Sequence, residues 1–314
     1  DKIGYRPLCS GGPLVCHSGA HWAWACSPWL FPDPFYGLLL AVLFYAVGGG
    51  LIEVLISPIV EACPTKNKAS VMSLLHSFYC WGSVGVILLS TLFLQVFGKG
   101  SWTILAILWA LLPLCNAFFF SKVPIGHLTE EGESLPMRKL FSMKLFWIFA
   151  ALMFAAGACE LSMSQWASAF AESGLGVSKT IGDLAGPCFF AILMGCARVI
   201  YAKFGDRLNL LNVELISGML CIASYLLAAL SPIPILALLG CGLCGLSVGV
   251  LWPGTFSVAA RHCPKGGTAM FALLALFGDL GCSGGPTLVG MVSGLGGGEL
   301  KNRPAVCSGV SRDF

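Results

Sequence analysis

Charge is scarce in this sequence. Of 314 residues, 15 are Asp or Glu and 18 are Lys or Arg, together 11%. Soluble globular chains carry about 25%, so a soluble domain with a solvated surface is excluded. The net charge of +3 is small, and the cations are scattered through short loops. No basic patch with interleaved aromatics occurs, which leaves no basis for a nucleic-acid partner. No HExxH, no GxSxG and no paired catalytic signature is read in any helix, which argues against an intramembrane enzyme. Metal-ligand spacing is also missing. Cys241 and Cys244 form a CxxC, but it lies in "GCGLCGL" without a second pair. Packing is its expected use, and no metal site or organic cofactor is expected.

What is present is apolar length. Hydrophobic residues make up 57% of the chain. Eight stretches reach the length of a membrane-spanning helix, at 37–60, 70–97, 101–122, 145–171, 180–202, 210–231, 233–260 and 267–294. Each is bounded by charge, Pro or Gly. An all-α integral membrane protein is the class that fits. The fifteen cysteines lie mostly inside these runs, where they behave as small hydrophobes. Residues 8–31 hold Gly11, Gly12, Pro13, two histidines and three tryptophans, and read poorly as any helix. Residues 123–144 are the one long polar segment and read as a linker between two helical bundles. The tail 295–314 is too polar to cross a bilayer.

Lys and Arg segregate between alternate loops. One side collects Lys2, Arg6, Lys66, Lys68, Lys122, Arg138, Lys139, Lys144, Arg198, Lys203, Arg207, Arg261 and Lys265, and includes residues 1–7, the 61–69 loop, the 123–144 linker and the 203–209 loop. Leaving the tail aside, the opposite side has only Lys99 and Lys179. The positive-inside rule places the first set in the cytoplasm of a multi-pass cell-membrane protein.

Two features repeat. "EACP" at 61–64 and "RHCP" at 261–264 each close an apolar helix, 263 − 63 = 200 positions apart. "DKIGYRP" opens the chain, and "KFGDRLN" follows an apolar span with its acid at 206, 206 − 1 = 205 positions later. A duplicated half of about 200 residues is the expected cause. Parallel repeats of this kind build one large class of transporters.

"DKIGYRP" resembles the loop between the second and third helices of the major facilitator superfamily. "GGGLIEVLISP" followed by "LLHSFYCWGSVG" resembles helices four and five of its fucose permease branch of sugar–proton symporters. The resemblance implies a major facilitator fold of two six-helix bundles with a parallel internal repeat, incomplete in this sequence. The first two helices and the last would lie outside it, and 8–31 and the tail read as foreign to the pattern, as out-of-frame sequence would. The expected organisation is a first bundle over 1–122, a linker over 123–144, a second bundle over 145–294 and a tail over 295–314. It further implies a monomer in the cytoplasmic membrane that moves a small polar solute, a sugar, with a proton. A non-functional fragment or a transporter-derived sensor is the alternative.

The family's helix-four glutamate falls on Glu53, its helix-five glutamine on His76 and its asparagine on Tyr79. The two departures put fucose itself in question. A carboxylate within an apolar helix resists staying charged, so it suits proton uptake and release. Glu53, Glu160 and Asp279 are the candidates for that role, and Gly48 to Gly50 would permit close approach or unwinding beside Glu53. His76, Tyr79, Gln165, Trp166 and Trp81 are the candidate solute contacts. Trp166 offers an aromatic face to a sugar ring. Asp1, Lys2, Gly4, Arg6, Asp206 and Arg207 form the gating motif, with no solute contact expected. Glu61, Glu214, Asp183 and Arg198 lie toward helix ends and read as anchors or gate partners.

Overall fold

The computed structural model describes residues 12–123, 135–175, 178–231 and 233–296. All regular structure in them is helical. A lipid-buried backbone has no water to satisfy its amides, so each apolar run closes its hydrogen bonds internally. The helices are α1 (Gly12–Leu30), α2 (Pro34–Ala62), α3 (Lys68–Phe97), α4 (Trp102–Lys122), α5 (Met137–Ser142) and α6 (Lys144–Leu175). They continue with α7 (Lys179–Asp183), α8 (Phe189–Phe204), α9 (Leu210–Leu230), α10 (Pro234–Val248), α11 (Leu251–His262) and α12 (Gly267–Gly296). A π turn, Leu184–Cys188, joins α7 to α8 in one span. Eight spans among the described residues are long and apolar enough to cross a membrane, from Phe35–Ala62 to Pro264–Val292. They match the eight expected stretches to within a few residues.

Short polar residues start several spans. Asp33 accepts from the Phe35 amide, Asn67 from Ser70, and Asn209 from Leu211 and Asn212. Each satisfies donors that the first turn leaves free. At the far end of α6, Lys179 pairs with Asp183 at 2.8 Å and Glu172 at 3.5 Å. Ser168 Oγ lies 2.6 Å from Asp183 Oδ1 and 3.1 Å from Glu172 Oε1, and its one proton donates to either carboxylate, tying α6 to α7.

Residues 12–30 correct the reading of 8–31. They form a helix despite Gly12, Pro28 and the three tryptophans, and it packs on α2 and α4. Pro28 lies only two residues from the end, so the helix loses the bond to the Trp24 carbonyl in its last turn alone. A low apolar content weakens the sequence signal without breaking a helix that has neighbours to pack on.

The 200-residue period is visible in the helix ends. The α2 span runs 34–62 and the α10–α11 span runs 234–262, so 234 − 34 = 262 − 62 = 200. The copies differ at one place. The second span breaks between Val248 and Leu251, whereas α2 runs unbroken through its glycines. Among the described residues nothing comes within 4 Å of a Cβ built at Gly49 or Gly50. The close approach or unwinding expected beside Glu53 therefore occurs instead in its repeat partner, at Gly249. Pro253 is the reason: it has no amide to donate to the Gly249 carbonyl four residues earlier.

The halves meet where α3 packs on α8 and where α12, itself packed on α6, touches α2. The α6–α12 contact is close because it is built on small residues. A Cβ at Gly281 would collide with the Phe154 carbonyl, and one at Gly157 with the Gly278 carbonyl. Large apolar side chains cover the outside, and α9 presents Leu215, Met219, Ile222 and Leu226 in one exposed row. Spacing of three and four residues puts these on one face, the face that lipid would cover.

Candidate functional site

The largest fully buried side chain among the described residues is an arginine. Arg198, on α8, is 2% exposed and Glu160, on α6, is 7% exposed. Arg198 Nη2 lies 3.4 Å from Glu160 Oε2. The guanidinium has other partners. Nε donates to the Gly249 carbonyl at 2.7 Å, which is the acceptor freed by Pro253. Nη1 donates to the His76 carbonyl at 2.8 Å and lies 3.1 Å from Cys80 Sγ. The Tyr79 ring centroid is 6.0 Å from the guanidinium carbon. An isolated charge this deep would cost several kcal/mol, so the pairing and the two carbonyl bonds are what make it tolerable.

Sequence reading placed Arg198 among helix-end residues, since "ARVIYAKFGDR" carries three cations toward a loop. In the structure it lies six residues inside α8 and faces three other helices. One sequence feature calls for a partner without saying which. Pro253 leaves an orphan carbonyl in an apolar helix, and a buried donor has to answer that group.

Of the three carboxylates singled out from sequence, Glu53, on α2, lies within electrostatic reach of the other two, Asp279 and Glu160. Cys282 on α12 senses all three charges. Four helices from both halves thus converge on a group of three acids and one arginine.

The candidate solute contacts divide. His76 and Tyr79 border the acid cluster. The His76 ring lies 3.3 Å from Ser57 Oγ on α2, through Nε2, and packs on Phe256 of α11. Tyr79 is 56% exposed, so its hydroxyl-bearing ring has a free face. Trp81 packs instead against Gly195 in the α3–α8 contact, with its indole 3.1 Å from where a Cβ would stand. Gln165 is exposed, and Trp166 Nε1 donates to the Pro286 carbonyl at 3.3 Å. Both lie beyond Glu160 on α6, by five and six residues, or about 8–9 Å along the axis.

Of the gating motif, Asp1, Lys2, Gly4 and Arg6 lie outside the described residues. Asp206 and Arg207 form a 3-10 turn that ends α8, with Arg207 exposed. Near that turn, Glu61 pairs with Lys68 at 3.6 Å and feels Arg261, its repeat partner 200 residues on. They border a cavity of about 450 Å³ that is also lined by Asn67 and Gly205.

Cys241 and Cys244 are buried in α10, and among the described residues no group of three metal-ligating side chains is gathered. Gly281 to Gly285 do have the Gly-x-Ser-x-Gly spacing of a hydrolase nucleophile turn, which corrects the reading that no such motif is present. They lie inside α12, and the strand-to-helix turn that such chemistry needs is not there.

Packed spans in repeated halves, with charges held at the level where the halves meet, define a multi-pass transporter of the cell membrane. A family model described as the Major Facilitator Superfamily matches residues 1–286, and the chain belongs to that family. Two solved structures share the fold. One is an alanine variant of the E. coli fucose:proton symporter FucP, 14% identical, with a TM-score of 0.71 over 93% of this chain and 78% of that one. The other is FucP in the outward conformation, described as a major facilitator transporter, 15% identical, with a TM-score of 0.74 over 94% and 78%. No curated protein sequence matches the chain.

Proposed function

We propose that this transporter moves a small polar solute, a sugar, together with a proton by alternating access. One observation carries the reading: Glu160 is buried against Arg198 at 3.4 Å, and Glu53, from the other half, lies near enough to feel the charges of Glu160 and Asp279. Like charges gathered in a desolvated place are relieved when one takes a proton, so such a group suits proton exchange. Glu53 is the principal proton-linked acid. His76 and Tyr79 contact the solute beside it, with Gln165 and Trp166 nearer the far end of the cavity and Trp81 holding α3 against α8. The named activity of the structurally similar FucP, fucose:proton symport, supports the same class of solute.

The halves that rock are 1–122 and 145–294, joined by the 123–144 segment on the cytoplasmic side. Asp206 and Arg207, with Asp1, Lys2, Gly4 and Arg6, act at that side as the gate. Coupling requires that the solute bind the protonated and deprotonated forms with different affinity.

The test is uptake of labelled neutral sugars, L-fucose and D-glucose among them, into proteoliposomes with and without an inward proton gradient. Gradient-dependent accumulation is expected, and Glu53→Gln should lower it at least tenfold, roughly the 1.4 kcal/mol coupling typical of linked sites. Gradient-independent uptake, or full accumulation by Glu53→Gln, would overturn the proton-linked reading. A chain that carries none of the sugars overturns the solute class.

A further inference from the structure

Arg198 presents a combination that packing alone does not explain. Its side chain is nearly inaccessible, yet it spends two donors on main-chain carbonyls of two other spans. One carbonyl belongs to the break in the second half, the other to α3 of the first half. Its own carbonyl accepts from Ser73 of α3 at 2.9 Å. The α3–α8 contact between the halves is therefore built around this residue. A further donor, on Nη2, faces Glu160 at 3.4 Å.

The carbonyls are fixed acceptors, but Glu160 is not fixed in charge. As a carboxylate it balances the guanidinium. As a neutral acid it leaves a cation buried with only dipoles for company, at a cost of several kcal/mol. Two routes relieve that cost. The guanidinium can move toward Glu53, or the α3–α8 contact can part and admit water. Both rearrange the halves. The groups that face the pair are Glu53, Tyr79, His76, Cys80 and Cys282, and Glu53 is the only second anion among them, with Asp279 behind it.

We propose that Arg198 is a positioning residue that converts the charge on Glu160 into opening or closing of the α3–α8 contact between the halves. This deepens the proton-coupled reading above, because it gives the proton a mechanical consequence. A lysine does not substitute, since a single ammonium cannot span Gly249, His76 and Glu160 in the geometry of a planar fork.

Hydrogen–deuterium exchange on the protein in nanodiscs tests it without any solute. Glu160→Gln is expected to raise exchange in 68–82 and 189–205 about tenfold, with α9 unchanged, as a local opening would. Arg198→Gln/Glu160→Gln removes both charges and is expected to return those segments to within about threefold of the native protein. Should Glu160→Gln fail to fold, the double variant is expected to restore a monodisperse protein. Transport of labelled L-fucose then separates a switch from a brace: the double variant restores the contact but should accumulate at least tenfold less. Arg198→Lys should behave like the single variants. Unchanged exchange in Glu160→Gln, a double variant no better than the singles, or a double variant with full accumulation would each overturn the proposal. If the native protein carries none of the labelled sugars, the sugar reading fails while the exchange result still judges Arg198.

Discussion

At the scale of single residues, burial and partners sort the polar groups that the sequence scatters through apolar runs. His76 bridges α2 and α3 through Ser57. A glutamine has donors and an acceptor at a similar reach, so His76→Gln should keep solute uptake within about threefold, while His76→Leu leaves Ser57 unanswered and costs about 1 kcal/mol of stability. A thermal melt of both variants beside uptake checks this. Trp166→Phe keeps the ring but loses the bond to the Pro286 carbonyl. It should melt slightly lower, by the ~1 kcal/mol of one neutral hydrogen bond, with the KM for sugar nearly unchanged, because the ring face and not the indole N–H meets the solute. The acids were legible in the sequence, since a carboxylate in an apolar run stands out. Arg198 was not. A cation six residues from a basic loop looks like a snorkelling side chain until the helices around it are known.

Helices record a different balance, between backbone geometry and close approach. The α10–α11 break follows from Pro253, and Arg198 answers the carbonyl it frees. Pro253→Ala would supply the missing amide and compete with Arg198 for Gly249. The expected outcome is slower exchange at 249–254, a protein at least as stable, and weaker transport, read by hydrogen exchange and uptake on the same preparation. The α6–α12 contact tolerates no such change. A side chain at Gly281 meets the Phe154 main chain, which cannot swing aside, so Gly281→Leu should cost about 3 kcal/mol or fail to fold. Gly218 on α9 has open space around it, and Gly218→Leu should express normally. The sequence marked both as glycines in apolar spans; only the packing distinguishes them.

For the whole molecule, orientation is the claim most open to a direct test. Lys99 and Lys179 sit in loops on one side, and the remaining loop cations on the other. An impermeant amine reagent applied to intact cells should label Lys99 and Lys179 and spare Lys66, Lys68 and Lys122 until the membrane is permeabilised. The reverse pattern would invert the transporter. The sequence by itself determined that this chain spans a membrane, how many apolar runs it has, and that two halves repeat at about 200 residues. Those facts depend on hydrophobic length, which is local, and on copied spacing, which survives in the text of the chain. Tertiary structure decided which buried charges meet, that Arg198 stands among them, and that α1 forms where composition argued against it. Such outcomes depend on helices distant in sequence lying side by side, so no window along the chain contains them.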